Sequence, residues 1–109
     1  MDEAVRAYLD RYPDEIKALF EKMRGIVYSA APAAEEKLWA KLPSYCAGER
    51  FVRLIPFKDH INIEAAAIMS HRDELAGYSV TPKGMLQIGL KSALPAELLE
   101  RIFAETLAK

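Results

Sequence analysis

A lone cysteine, two histidines and a set of aromatic and amide side chains are the groups in this chain that could do chemistry. Cys46 would act as a nucleophile only with a base beside it and surroundings that favour the thiolate. His60 could serve as that base only if residues 40–46 fold over the neighbouring hairpin. No protease or transferase signature surrounds Cys46, so a half-buried, inert thiol is the preferred reading. Neither His60 nor His71 has a second histidine or cysteine at ligand spacing, so the sequence holds no transition-metal motif. His71 falls in Ser70-His71-Arg72-Asp73, which has the pattern of a capped helix start. Protonation of an imidazole in a first helical turn is disfavoured. The remaining candidates are Trp39, Tyr45, Arg53, Asn62, Glu64 and Gln87. With Phe51 and Ile55 they could line a pocket of mostly apolar walls and a few polar groups, the usual make-up of a small-molecule site. The same aromatics could instead fill a secondary core or form a dimer contact.

Those residues need elements to position them. The second helix is the clearest: Ile16, Leu19, Phe20, Met23, Ile26, Val27 and Ala30 recur at i, i+3, i+4 and i+7 spacing. Pro13 opens it, Asp14 and Glu15 sit in its first turn where the helix dipole favours anions, and Pro32 stops it. A shorter amphipathic helix over residues 2–11 precedes it. The segment Ala34 to Trp39 is either a helical turn or an edge strand. Leu42-Pro43 reads as a bend into extended chain, and Gly48 as a turn.

Residues 50–57 and 60–66 form a hairpin pattern. With Lys58-Asp59 as the loop, Val52 faces Ala65, Leu54 faces Ile63 and Pro56 faces Ile61, giving one wholly apolar side. Phe57 faces His60, Ile55 faces Asn62, Arg53 faces Glu64 and Phe51 faces Ala66 on the other. Opposite charges directly across favour this register, and a slip of one residue would mix the two sides. Lys-Asp is not a favoured two-residue turn, so a longer loop stays open. A two-turn helix from Ser70 to Gly77, a turn at Thr81–Gly84, a strand over Met85–Leu90 and a helix from Pro95 complete the chain. The expected fold class is α+β, a two-layer sandwich with helices packed on one face of an antiparallel sheet, in one domain spanning residues 1–109. The other sheet face, with Phe51, Ile55 and Phe57, is too apolar to be left without a cover. The Trp39–Cys46 segment, a second copy of the chain or a ligand could supply it.

The run Lys37-Leu-Trp-Ala-Lys-Leu-Pro-Ser-Tyr45 resembles the W-G-M-P-x-Y/F signature of the YdhG-like family of domains of unknown function. Phe57-Lys58-Asp59-His60-Ile61, Asp73-Glu-Leu-Ala-Gly-Tyr78 with Lys83-Gly84, and Leu94-Pro95 are similar to later motifs of that family, in the same order. Ala40 and Leu42 depart from the Gly and Met common there. The resemblance implies helices on an antiparallel sheet, grouped with frataxin-like architecture, and a small binding protein without catalysis of its own. Some members are iron chaperones, which implies iron as a possible cofactor and acidic helix residues as ligands. Asp10, Asp14, Glu15 and Glu21, with Asp2 and Glu3, are the candidates. Yet Asp14, Lys17, Glu21 and Arg24 alternate in sign at helical spacing, the pattern of an ordinary solvated face.

Composition narrows the partners. The chain has 109 residues, 51% hydrophobic and 28% charged, with a net charge of −1, which does not suggest nucleic acid. Residues 37–63 carry five basic side chains against two acidic ones, so an anionic partner there is conceivable, with a mixed solvated surface preferred. One cysteine excludes an internal disulfide and fits a reducing, cytoplasmic setting. The acidic, interrupted N-terminus is not expected to be a signal peptide, and no apolar run is long enough to span a bilayer. The partners left are a small ligand, another protein or a homodimer through the outer sheet face. Trp39→Ala and Arg53→Ala are expected to cut such binding while leaving thermal stability nearly unchanged.

Overall fold

The computed structural model describes residues 1–108. Helix α1 spans Glu3–Leu9, and the Asp2 carboxylate caps it by accepting from the amides of Ala4 and Val5 at 3.0 and 3.1 Å. Pro13 takes the cap position of α2 (Asp14–Ala30), whose stripe of Ile16, Phe20, Met23 and Val27 is fully buried. Strands follow: β1 Glu35–Trp39, β2 Leu42–Ala47, β3 Arg50–Pro56 and β4 His60–Ala65. A 3₁₀ segment, Ala66–Leu75, leads to the short β5 (Ser79–Val80) and β6 (Leu86–Gly89), and α3 (Ala96–Leu107) closes the chain. The strands form an antiparallel sheet in the order β1-β2-β3-β4-β6-β5, with the helices packed on it: an α+β arrangement.

The hairpin register is the expected one. Val52 pairs with Ala65, Arg53 with Glu64, Leu54 with Ile63, Ile55 with Asn62 and Pro56 with Ile61. The Phe57 amide donates to the His60 carbonyl at 2.8 Å, so Lys58 and Asp59 alone make the loop, despite their poor turn preference. Strand alternation sends Tyr45, Val52, Leu54, Ile61, Ile63, Leu86 and Ile88 to the helix side, each wholly shielded from solvent. There they meet the α2 stripe and Leu99, Ile102 and Phe103 of α3.

One open choice is settled and two local expectations are corrected. Of the two readings of Ala34 to Trp39 the structure has the edge strand, over Glu35–Trp39, and residues 42–47 are a second strand rather than a bend. The two are joined by Ala40 and Lys41, which hold φ of 55° and 67°. Two consecutive positive φ values are what a type I′ turn requires, and this turn matches the twist of the strands it joins. Neither residue is glycine, so the tight hairpin carries backbone strain. The segment around His71 is a 3₁₀ run kinked at His71, not a capped α-helix start. The β1–β2 hairpin extends the sheet instead of covering its outer face, so that face stays open.

Candidate functional site

Outward-facing positions follow from the same alternation. In register across the sheet stand Lys37 on β1, Ser44 on β2, Arg53 on β3 and Glu64 on β4. A second row runs Ile55, Asn62 and Gln87, reaching Ser79 on β5. Arg53 is held from four sides. Its Nε donates to Ser44 Oγ at 3.3 Å and its Nη1 to Glu64 Oε1 at 3.2 Å. Its guanidinium carbon lies 4.2 Å from the centre of the Phe51 ring and 4.8 Å from that of Trp39. Trp39 meets Phe51 edge-on, with ring centres 5.3 Å apart. Cation–π contact of this kind is worth about 0.5–2 kcal/mol according to desolvation. Together these contacts pre-set the arginine's orientation.

Trp39 stays 42% exposed and Phe57 is equally so, two large apolar side chains left on the surface. The Asn62 Oδ1 atom is shielded from water and accepts no hydrogen bond from the described residues. Its cross-strand neighbours on this face are Ile55 and Gln87. Ser44, which sequence reasoning did not single out, is fully buried; its hydroxyl donates to the Leu42 carbonyl at 3.0 Å and accepts from Arg53. Once residues 42–47 are assigned to a strand, its alternation with Leu42 and Cys46 would have placed it there.

Five of the six sequence candidates, Trp39, Arg53, Asn62, Glu64 and Gln87, share this outer face. Tyr45 does not join them: it points into the core, where its hydroxyl donates to Glu36 Oε2 at 2.8 Å. Burial and that carboxylate push its phenol far above the ordinary range. Glu36 accepts from Tyr45, from the Asp2 amide at 2.6 Å and from Arg24 Nε at 2.5 Å. Burial alone would raise the Glu36 carboxyl, but these donors outweigh it and hold it below the usual range. Arg24 therefore turns inward and does not extend the ladder with Glu21.

The other candidates separate. Cys46 lies on the outer face beside Phe51, and His60 is the neighbour of Phe57 at the far end of β3. Six residues of strand put the two about 20 Å apart at ~3.3 Å each, so they cannot act as a pair. Burial pushes the Cys46 thiol up, outweighing the nearby Lys37. The His60 ring stacks on Phe57 with centres 4.4 Å apart, and its Nδ1 lies 2.7 Å from Asp59 Oδ1. His71 contacts Glu74 and Glu105, which raise its pKa, the reverse of the expectation from a helix start. Asp10 and Asp14 face Lys17 at 3.6 and 4.0 Å. Among the described residues Asp10, Asp14, Glu15 and Glu21 contribute to no group of three or more His, Cys, Asp or Glu side chains able to hold a metal ion. No helix among these residues is long and apolar enough to cross a membrane. Comparison with protein-family models, curated proteins and solved structures finds no match.

Proposed function

We propose that the protein is a binding module without catalysis of its own, which works through the outer face of its sheet. The observation that carries this is Arg53, fixed between Trp39 and Phe51 on a face no helix covers. Tryptophan and arginine are the residues most often found to dominate protein contacts. Three concave sites lie at the margins of this face and a fourth lies beside α1, while the centre of the face is strand surface, which suits a protein better than a small molecule.

A second copy of this chain is the occupant the charges favour. Arg53 is compensated by Glu64 and Lys37 by Glu35, within the same face. A locally neutral face can stack on its own copy without like-charge repulsion, at the ~10 Å spacing of packed sheets. The resemblance to the YdhG-like family belongs to the same proposal, since a protein that delivers a cargo must dock on another. Iron as that cargo has no supporting ligand cluster among the described residues.

Sedimentation equilibrium tests the reading. The expected result is a dimer at micromolar concentration that Trp39→Ala or Ile55→Asp disrupts while the melting temperature of the monomer changes little. A monomer at all concentrations would remove self-association. A photo-crosslinker at position 39 that captures no more than one at Lys22 on α2 would then remove the face as a contact surface altogether.

A further inference from the structure

A cavity of about 400 Å³ opens where the end of the sheet meets the 3₁₀ segment and α3, and of the residues named from the sequence as pocket-lining only Phe51 and Glu64 line it. We infer that it binds a small amphipathic monoanion, a carboxylate with a short apolar body. Its apolar wall is Phe51, Ala65 and Met69, and its rim carries Arg50, Lys83 and Glu49. Met69 is 51% exposed, the most exposed large apolar side chain among the described residues. An unbranched thioether adapts to irregular ligands, which suits a binding wall. Lys83 is brought to the rim by the turn in which the Gly84 amide donates to the Thr81 carbonyl at 2.8 Å. Gly84 holds φ of 85°, a conformation that side-chain-bearing residues rarely adopt, and this keeps Lys83 and Met69 at the same opening.

Charge decides the ligand class. Neither Arg50 nor Lys83 makes an ion pair among the described residues, and Glu64, the second carboxylate at the cavity, is already engaged by Arg53. That leaves two free cations against the single carboxylate of Glu49, a balance that one anionic headgroup completes. Apolar walls with a few convergent polar groups, at a volume near the lower end of the ~300–1,000 Å³ typical of ligand sites, fit a body of several carbons. Screening by salt should weaken the headgroup contact, because the rim is exposed.

Titration calorimetry with octanoate, and with octanol as the uncharged match, tests this on the full chain. Octanoate is expected to bind about tenfold more tightly than octanol, the scale of a charge-assisted hydrogen bond. Arg50→Glu and Lys83→Glu should each lose about that factor, whereas Lys22→Glu, the same charge change on α2, should not. Amide shifts on octanoate addition should centre on Ala66 and Gly84 of the unsubstituted protein, which keeps the test valid if a rim variant folds poorly. Self-association is read separately, by sedimentation without octanoate, so failure here is separate from failure of the sheet-face reading. Equal affinity for octanol, rim variants no different from Lys22→Glu, shifts centred elsewhere, or no binding at millimolar octanoate would each overturn the inference.

Discussion

Two arginine–glutamate pairs stand on opposite faces of one sheet. On the helix side, Arg24 reaches from α2 to Glu36 on β1, and the carboxylate is completed by Tyr45 and the Asp2 amide. On the outer side, Arg53 and Glu64 face each other across β3 and β4, with Trp39 and Phe51 against the guanidinium. Each arginine also lies against an aromatic ring, Arg24 at 5.1 Å from the centre of Tyr28. The difference is closure. The Glu36 carboxylate is satisfied from three sides and ties the N-terminus, α2 and two strands together, so its role ends in the fold. The outer pair has the same chemistry but leaves Trp39 42% exposed beside it, on the face proposed above as a contact surface.

Breaking the inner face should cost most. Ile63→Ala removes a wholly buried side chain from the centre of the core and should destabilise by about 4 kcal/mol in urea unfolding. Glu36→Ala strands Arg24 and the Tyr45 hydroxyl and should cost about 3 kcal/mol. The Glu36 carboxyl titrates below its ordinary range in the folded chain, so its contribution is present above that range and is lost as pH falls through the folded value. Glu36→Gln should therefore flatten the acid limb of the stability profile.

On the outer face Arg53→Ala sharpens the contrast. The side chain is only 14% exposed, so the expectation of nearly unchanged stability is revised to a loss of about 1–2 kcal/mol. Trp39→Ala, at a partly solvated position, should cost less than Arg53→Ala, about 0.5–1 kcal/mol, while abolishing self-association. Equal costs for Arg53→Ala and Glu36→Ala would erase the distinction between the faces. The hairpin that presents Trp39 should respond in the other direction. Lys41→Gly relieves a φ of 67° and should stabilise by up to about 1 kcal/mol in thermal melts.

The smallest effect concerns His71. Hydrogen bonds to Glu74 and Glu105 raise its pKa, and Arg101 also contacts Glu74. A raised value means the contribution is complete below about pH 6.5 and disappears as pH rises through the folded value. Melting curves from pH 5.5 to 8.5 should show this slope, and His71→Gln should remove it.

Much of this was readable in the residues. Opposed charges at Arg53 and Glu64, with apolar pairs on the alternate positions, favour one hairpin register, and the structure has it. The second helix was equally plain, because its stripe has no other consistent period. Residues 34–47 were readable only in part: an edge strand was one of two readings of Ala34 to Trp39, but the hairpin was not seen because its turn is built from Ala40 and Lys41, types that give no turn signal. Tyr45 was misplaced for the same reason: without strand β2, its side of the sheet had no parity. The 3₁₀ segment was missed because Ser70 and Asp73 imitate a cap that the backbone does not use.

The sequence by itself determined the three α-helices and the central hairpin, because periodic burial is a local pattern written in consecutive residues. Only the tertiary structure decided which face of the sheet stays open, that Glu36 and Arg24 meet inside, and that Arg50, Lys83 and Met69 share one opening. Those relations join residues distant along the chain, and nothing in local spacing encodes the packing that brings them together.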